Sequence, residues 1–447
     1  MALSMKRIIS GAQLGDLRRN DRLFELVQWL TRQATAGAGS PGVGGAWAES
    51  MGAWRFFNNA EISLDAAYSV VRSAIRESLG ASKRCYVMHD VSLIDLSRHN
   101  SKADRIPIGD HRGAGYELYS ALVVDQAGHA IGPVFQEVRV EGGVHSSEPL
   151  TKREAKRGVA KFIGHIEQME KAVVAARSHL EGLRRVHIAD REFDDLAAMR
   201  AWVGNDDEYI VRVQHKTRRV LFNGEHMALE EACAAAKLSR SGNVEKQGKS
   251  YNRWQGEIEV TLDGLSRRGR HRGQTPKAGD PITVRVVVVE LRAAHEETIR
   301  WMLVTNSNDS IEQVVQAYVW RWEIERYFYL TKVGFKLESW LQQTGEAFAR
   351  KLAAASLAAM VVYQLVAITD EDPERARAIQ TIASMGGWLG RKRDPIGPIV
   401  LMRGITALLN MMAAIQQLGV TGVRELANQV LPDLIAKPGA RRGRGDV

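Results

Sequence analysis

Asp90 closes the short apolar run Cys85-Tyr-Val-Met-His-Asp, and Asp190 closes a second, Val186-His-Ile-Ala-Asp. Function gathers at strand ends in α/β sheets, and two strand-end carboxylates on neighbouring strands lie within reach of one divalent ion. Their oxygens suit Mg²⁺ or Mn²⁺, and two such ions about 4 Å apart can activate a water and stabilise the leaving oxygen of a phosphodiester. Either aspartate by itself reads first as a strand-end turn or a helix cap. A third acid comes with company. Arg321, Glu325 and Lys332 follow Tyr318 at offsets of 3, 7 and 14 residues, and at about 100° per residue a helix gathers all four within an arc of about 60°. A carboxylate flanked by a guanidinium, an ammonium and a phenol on one stripe suits a phosphate chain passing beside a metal. The plainer alternative is a helix face laced with ion pairs, for which Glu312 and Glu323 serve equally well. Any metal must take oxygen or imidazole ligands, because Cys85 and Cys233 are the only cysteines.

The elements that must position these groups follow from the apolar spacing. Arg84 to Asp90, Glu117 to Asp125 and Ile131 to Val140 read as strands, the last two joined by a turn at Gln126-Ala-Gly-His. Next come a long helix from Lys152 to Leu183, a strand from Arg185 to Asp190, a helix from Asp194 to Trp202 capped by Asp194 and Asp195, and a strand from Tyr209 to Val213. Three antiparallel strands, a helix, a strand parallel to the first, a helix and a further strand form the order of an RNase H-like α/β layer. A mostly β segment then interrupts it, with Asn252 to Leu262 and Pro281 to Leu291 as its clearest strands. Between those two lies Ser266-Arg-Arg-Gly-Arg-His-Arg-Gly, read either as a solvated loop or as a phosphate contact. Arg300 to Asn306 resumes as a strand before a helix begins at Ile311.

Helical patterns flank this layer. In front stand Asp16 to Arg32, then Ala46 to Asn58 and Ser63 to Leu79, with Ser63 as N-cap and a Gly- and Ala-rich loop at Ala34 to Gly45. Behind, the chain reads as helical from Leu352 to about Leu418, broken near Gly386 and from Pro395 to Pro398, and ends in a basic tail from Lys437. The expected organisation is a helical N-terminal domain at 1–80, a split RNase H-like α/β domain at 81–215 and 300–370, a β-rich insertion at 216–299, and a helical C-terminal region at 371–447.

The spacing Tyr318-x2-Arg321-x3-Glu325-x6-Lys332 matches the YREK motif of the insertion-sequence-four family of bacterial DDE transposases, the group containing the Tn-five transposase. Val186-His-Ile-Ala-Asp-Arg-Glu-Phe-Asp resembles that family's second-aspartate motif, and His89-Asp90-Val-Ser-Leu its first. Trp54-Arg-Phe-Phe-Asn-Asn is similar to its N-terminal Tyr-Arg-Phe block, with Trp54 in place of tyrosine, and Gly15-Asp-Leu-Arg-Arg to its opening block. The resemblance implies an RNase H-like domain split by a β insertion, with Asp90, Asp190 and Glu325 holding two Mg²⁺ ions, or Mn²⁺ as substitute. It implies that Tyr318, Arg321 and Lys332 hold phosphates. It also implies a reaction in which a metal-activated water nicks each transposon end and the freed 3′-hydroxyl attacks the opposite strand, giving a hairpin that is reopened before joining to target DNA. Hairpin formation requires a base to leave its stack and meet an aromatic ring. Trp301, in Arg300-Trp-Met-Leu-Val-Thr, is similar to the family's Trp-Leu-Leu-Leu-Thr block and is the candidate ring. A strand tryptophan is also an ordinary core residue. Arg212 and Arg191 resemble family positions that contact end DNA.

Composition agrees with such a partner. Sixty-one Lys plus Arg against 52 Asp plus Glu leave a net charge of +9, which favours a polyanion. A hydrophobic share of 45% with 25% charged residues suffices for sizeable cores and excludes wholesale disorder. The expected protein is a soluble cytoplasmic one, nucleoid-associated and bacterial, with no membrane partner and with Leu352 to Ile368 as a buried helix. Arg18, Arg19 and Arg22 on the first basic helix are expected on phosphates or bases of the end repeats. The apolar run Ile399 to Leu418 serves either homodimerisation in synapsis or packing within one chain. Two other functions share these residues: an RNase H-like metal-dependent nuclease without strand transfer, and an inactive DNA-binding inhibitor of transposition.

Overall fold

The structure is a computed structural model that describes residues 4–33, 47–109, 113–246, 249–264, 279–293, 296–367, 373–390 and 396–430. The expected loop at Ala34 to Gly45, the basic stretch Ser266 to Gly273 and the tail from Lys437 lie outside the described residues. The chain forms two compact units, one of Met1–Thr31 with Gly37–Gln364 and the other of Arg32–Ala36 with Leu365–Val447.

The first unit is mixed α/β and is built on one large mixed sheet, an arrangement compatible with an RNase H-like fold. Its strands are β1 (Arg84–Asp95), β2 (Ile106–Ile108), β3 (Gly113–Val124), β4 (Ala130–Val140), β5 (Gly143–Ser146), β6 (Arg184–Ala189), β7 (Glu208–Arg212), β8 (Arg219–Phe222), β9 (Glu225–Ala228), β10 (Ser239–Lys246), β11 (Lys249–Leu262), β12 (Ile282–Arg292) and β13 (Ile299–Thr305). The order across the sheet is β5-β4-β3-β1-β6-β7-β13-β12-β11-β8-β9, with β2 on β3 and β10 on β11. β3 runs antiparallel to β1 and to β4, while β6 runs parallel to β1 and β7 parallel to β6. The strands between residues 216 and 299 continue this same sheet, because β13 pairs with both β7 and β12.

Its centre is buried on both faces, and β3 and β4 therefore read as apolar runs more than as alternation. Helices at Leu64–Leu79 and His165–His179 pack on β4, the former through Val70, Val71, Ala74 and Ile75, all at 2% exposure or less. Ser63 caps the first of them, its side chain accepting from the Ala66 N–H.

Three elements differ from their sequence expectation. β1 runs on to Asp95, so Asp90 is mid-strand, paired with Ser120 of β3. The long helix expected from Lys152 to Leu183 is a single turn at Lys152–Ala155 and a separate helix at His165–His179, with Gly158 at φ +73° and Gly164 at φ +140° between them. Those left-handed angles suit glycine and end any helix that reaches them. Asp195 caps the helix Leu196–Gly204, whereas the buried Asp194 instead pairs with Arg218 at 2.6 Å and accepts from the Gln214 and His215 N–H groups.

The second unit holds the helices Pro373–Met385 and Pro398–Val430, the latter interrupted at Gly419 and reaching twelve residues past the expected end at Leu418. Pro398–Gln417 is, by length and composition, long and apolar enough to cross a membrane, and only 27% of it is buried. The helix expected from Leu352 to Ile368 spans Gly345–Ala367 and buries Leu352, Leu357 and Val362 completely.

Candidate active site and DNA-binding region

Parallel pairing of β1 with β6 ends at His89 opposite Ala189, and pairing of β6 with β7 ends at Ala189 opposite Val211. Asp90, Asp190 and Arg212 are each the next residue, so the sheet sets them in a row one step past that last rung. Each aspartate accepts the N–H of the residue after it, Val91 at 2.8 Å and Arg191 at 2.7 Å. Asp190 is thus also the cap of the single turn Arg191–Phe193, the turn role its sequence position suggested. Arg191 opens that turn and is exposed.

The hydrogen bonding of the helix that meets this row tightens at Arg321. Ile311–Trp320 begins with a capping box made by Ser310 and Gln313, Arg321 makes a tight step, and Trp322–Tyr329 continues before a π turn at Leu330–Gly334. At the step the Arg321 N–H donates to Tyr318 O and the Ile324 N–H to Arg321 O, both at 3.2 Å and both three residues back. The stripe holds across this step for its first three members. Tyr318 Oη donates to Asp190 Oδ1 at 3.4 Å, and Arg212 Nη1 lies 3.8 Å from the same oxygen. Arg321 reaches Asp90 Oδ2 with Nη1 at 3.3 Å and Glu325 Oε1 with Nη2 at 3.1 Å. Lys332, in the π turn, leaves the group and donates to Leu93 O at 2.5 Å, three residues along β1 from Asp90.

Burial sets the electrostatics. Asp90 is pushed up to about 6 by desolvation, with Arg321 and the Val91 N–H opposing the rise and the nearby Glu325 and Glu192 adding to it. Tyr318 is pushed up to about 12 by burial and by Asp190, so its phenol keeps its proton. Behind the acids, His89 Nδ1 meets Tyr119 Oη at 2.7 Å and His89 Nε2 meets His187 Nδ1 at 2.9 Å. Burial holds both imidazoles below the usual histidine range, His187 at about 3, so this inner pair is neutral. The pair was not foreseen from sequence, although its inward direction was available from the period-two pattern of Val186-His-Ile.

The carboxylate oxygens are the right donors for a hard divalent cation. Their placement is not that of a cation cage: among the described residues no group of three His, Cys, Asp or Glu side chains converges closely enough to hold a metal ion. The Arg321 guanidinium instead bonds both Asp90 and Glu325.

Trp301 is buried on β13, its ring and that of Tyr318 packed in a T-shaped pair with centroids 5.3 Å apart. Exposed rings on the helix Trp322–Tyr329 are Trp322, next to Arg321, with 48% of its surface free, and Tyr329, with 60%. Sequence reasoning passed over Trp322 because its helix position lies off the four-residue stripe.

Arg18, Arg19 and Arg22 stand apart, on the helix Leu17–Gln33, and line a cleft with Arg55 and Phe56 of the helix Trp47–Phe57. Arg18 is bound to Asp16 at the surface, Arg19 donates to Leu14 O at 2.9 Å, and Arg22 pairs with Glu25. Arg55 is a fourth cation there that the sequence reading did not single out. Residues 5–62, which contain all four arginines, match the family model for transposase DNA-binding. That match makes DNA the partner of this region and supports a transposase. No curated protein matches the chain.

Proposed function

We propose that the protein is a cut-and-paste DNA transposase of the insertion-sequence-four type, acting as a homodimer on paired transposon ends. The observation that carries the reading is that one helix reaches both strand-end aspartates, Arg321 bonding Asp90 as well as Glu325 and Tyr318 bonding Asp190, in a chain whose front matches a transposase DNA-binding model. In this reading the N-terminal helices bind the end repeats. The three carboxylates and the stripe then handle the scissile phosphate: hydrolysis frees a 3′-hydroxyl, which attacks the opposite strand to form a hairpin that is reopened before joining to target DNA. Mg²⁺, with Mn²⁺ as substitute, would supply water activation and charge neutralisation once bound to Asp90, Asp190 and Glu325. Arg321 and Arg212 suit phosphate oxygens as planar, permanently charged donors, and Trp322 offers an accessible face for an unstacked base.

Mixing the protein with its own terminal inverted repeats and Mg²⁺ should give nicked, then hairpinned ends, and joined molecules once target DNA is added. Simple breaks with neither hairpins nor joints would replace this reading with a nuclease of the same fold.

A further inference from the structure

The four members of the stripe do not stand in equivalent places. Arg321 is 8% exposed, and its side chain is committed to two of the three acids, one on the sheet and one a turn further along its own helix. Asp190 has a separate pair of partners in Tyr318 and Arg212. The tight step in the helix at Arg321 keeps the guanidinium over Asp90, and Glu325 holds its other edge. The charge of the carboxylates is therefore partly offset from within, and among the described residues no three-ligand cluster forms.

We infer that Arg321 is a built-in counterion, which keeps a divalent cation off Asp90 and Glu325 in the DNA-free chain. The inference rests on these acids being the metal ligands of the proposed transposase. Its chemical basis is exclusion: a guanidinium bonded to both carboxylates fills the space between them and offsets one of the two charges that would attract the ion. Phosphate is the natural competitor for the guanidinium, because it offers the same paired oxygens. A phosphodiester drawn to Arg321 would release two acids beside itself, and the cation would then be needed to hold three negative groups together.

The test is equilibrium Mn²⁺ binding to the whole chain without DNA, followed by the electron spin resonance of the free ion. Arg321→Gln should bind Mn²⁺ about tenfold or more tighter than wild type, the loss of one charge-assisted contact or more. Arg321→Lys keeps the charge and should stay near the weak wild-type affinity. It also guards against a general disturbance of folding, as does an unchanged circular dichroism spectrum. Equal affinity of Arg321→Gln and wild type, with Glu325→Gln lowering both, would overturn the counterion role and leave the metal assignment standing. Mn²⁺ binding to Arg321→Gln that is indifferent to an added Glu325→Gln would overturn the metal assignment itself, and the inference with it.

Discussion

At the scale of single residues, the first unit places charges where burial makes them costly, and answers most of them locally. Arg84 and Arg184 share Asp309, Arg72 holds Asp65 and Glu148, and Arg321 holds two candidate catalytic acids. Lys351 is different. It is 1% exposed, lies over the Trp340 ring at 4.3 Å and has the buried Lys102 nearby. Burial, reinforced by Lys102, pushes it from 10.5 down to about 7. A depressed lysine favours the unfolded chain, which keeps its proton to a higher pH. The penalty is therefore complete below about pH 7 and fades as pH rises toward 10.5, so this group makes stability increase with pH across that window. Lys351→Met should stabilise the protein by about 3 kcal/mol at pH 6, with the gain shrinking by pH 9. Denaturant unfolding at the two pH values checks it, and a gain independent of pH would show that Lys351 is charged in the folded state. The residue identities at the candidate site were legible in sequence because each carries its chemistry in its side chain. Their partners were not, since Arg321 between Asp90 and Glu325 is a relation across 231 residues.

At the scale of elements, the sheet was legible wherever a strand is wholly buried and therefore continuously apolar. Boundaries were lost where another force decides. β1 outruns Asp90 because β3 continues to pair with it after β6 has stopped. The Lys152 to Leu183 helix is cut by two glycines whose backbone angles only the fold reveals. The π turn after Tyr329 takes Lys332 out of the regular helix, and its ammonium donates to Leu93 O. The contact of β1 with β3 is tight at its far end: a Cβ on Gly115 would lie 1.9 Å from Ile94 O. Gly115→Ala should force the two strands apart and destabilise the protein by about 1–3 kcal/mol, read as a lowered midpoint in thermal unfolding. An unchanged midpoint would mean that the pairing at Asp95 and Gly115 is looser than drawn here.

At the scale of the whole molecule, the charge of +9 acquires locations. Arg18, Arg19, Arg22 and Arg55 gather on the helices of the region that matches transposase DNA-binding, while Arg321 and Arg212 are spent on acids in the DNA-free chain. Composition signalled a polyanionic partner without saying which cations would meet it, because a count carries no geometry. The insertion was legible as β but not as an extension of the same sheet, since strand neighbours at β7 and β13 are fixed by pairing across about ninety residues. Glu325 is the one acid of the three on the helix stripe, and it meets Asp90 through their shared partner Arg321. The deciding measurement is single-turnover cleavage of terminal-repeat DNA in Mg²⁺ by Glu325→Gln, with DNA binding followed in parallel. Binding should equal wild type and cleavage should slow by on the order of 10³-fold or more; cleavage at the wild-type rate would remove Glu325 from the chemistry.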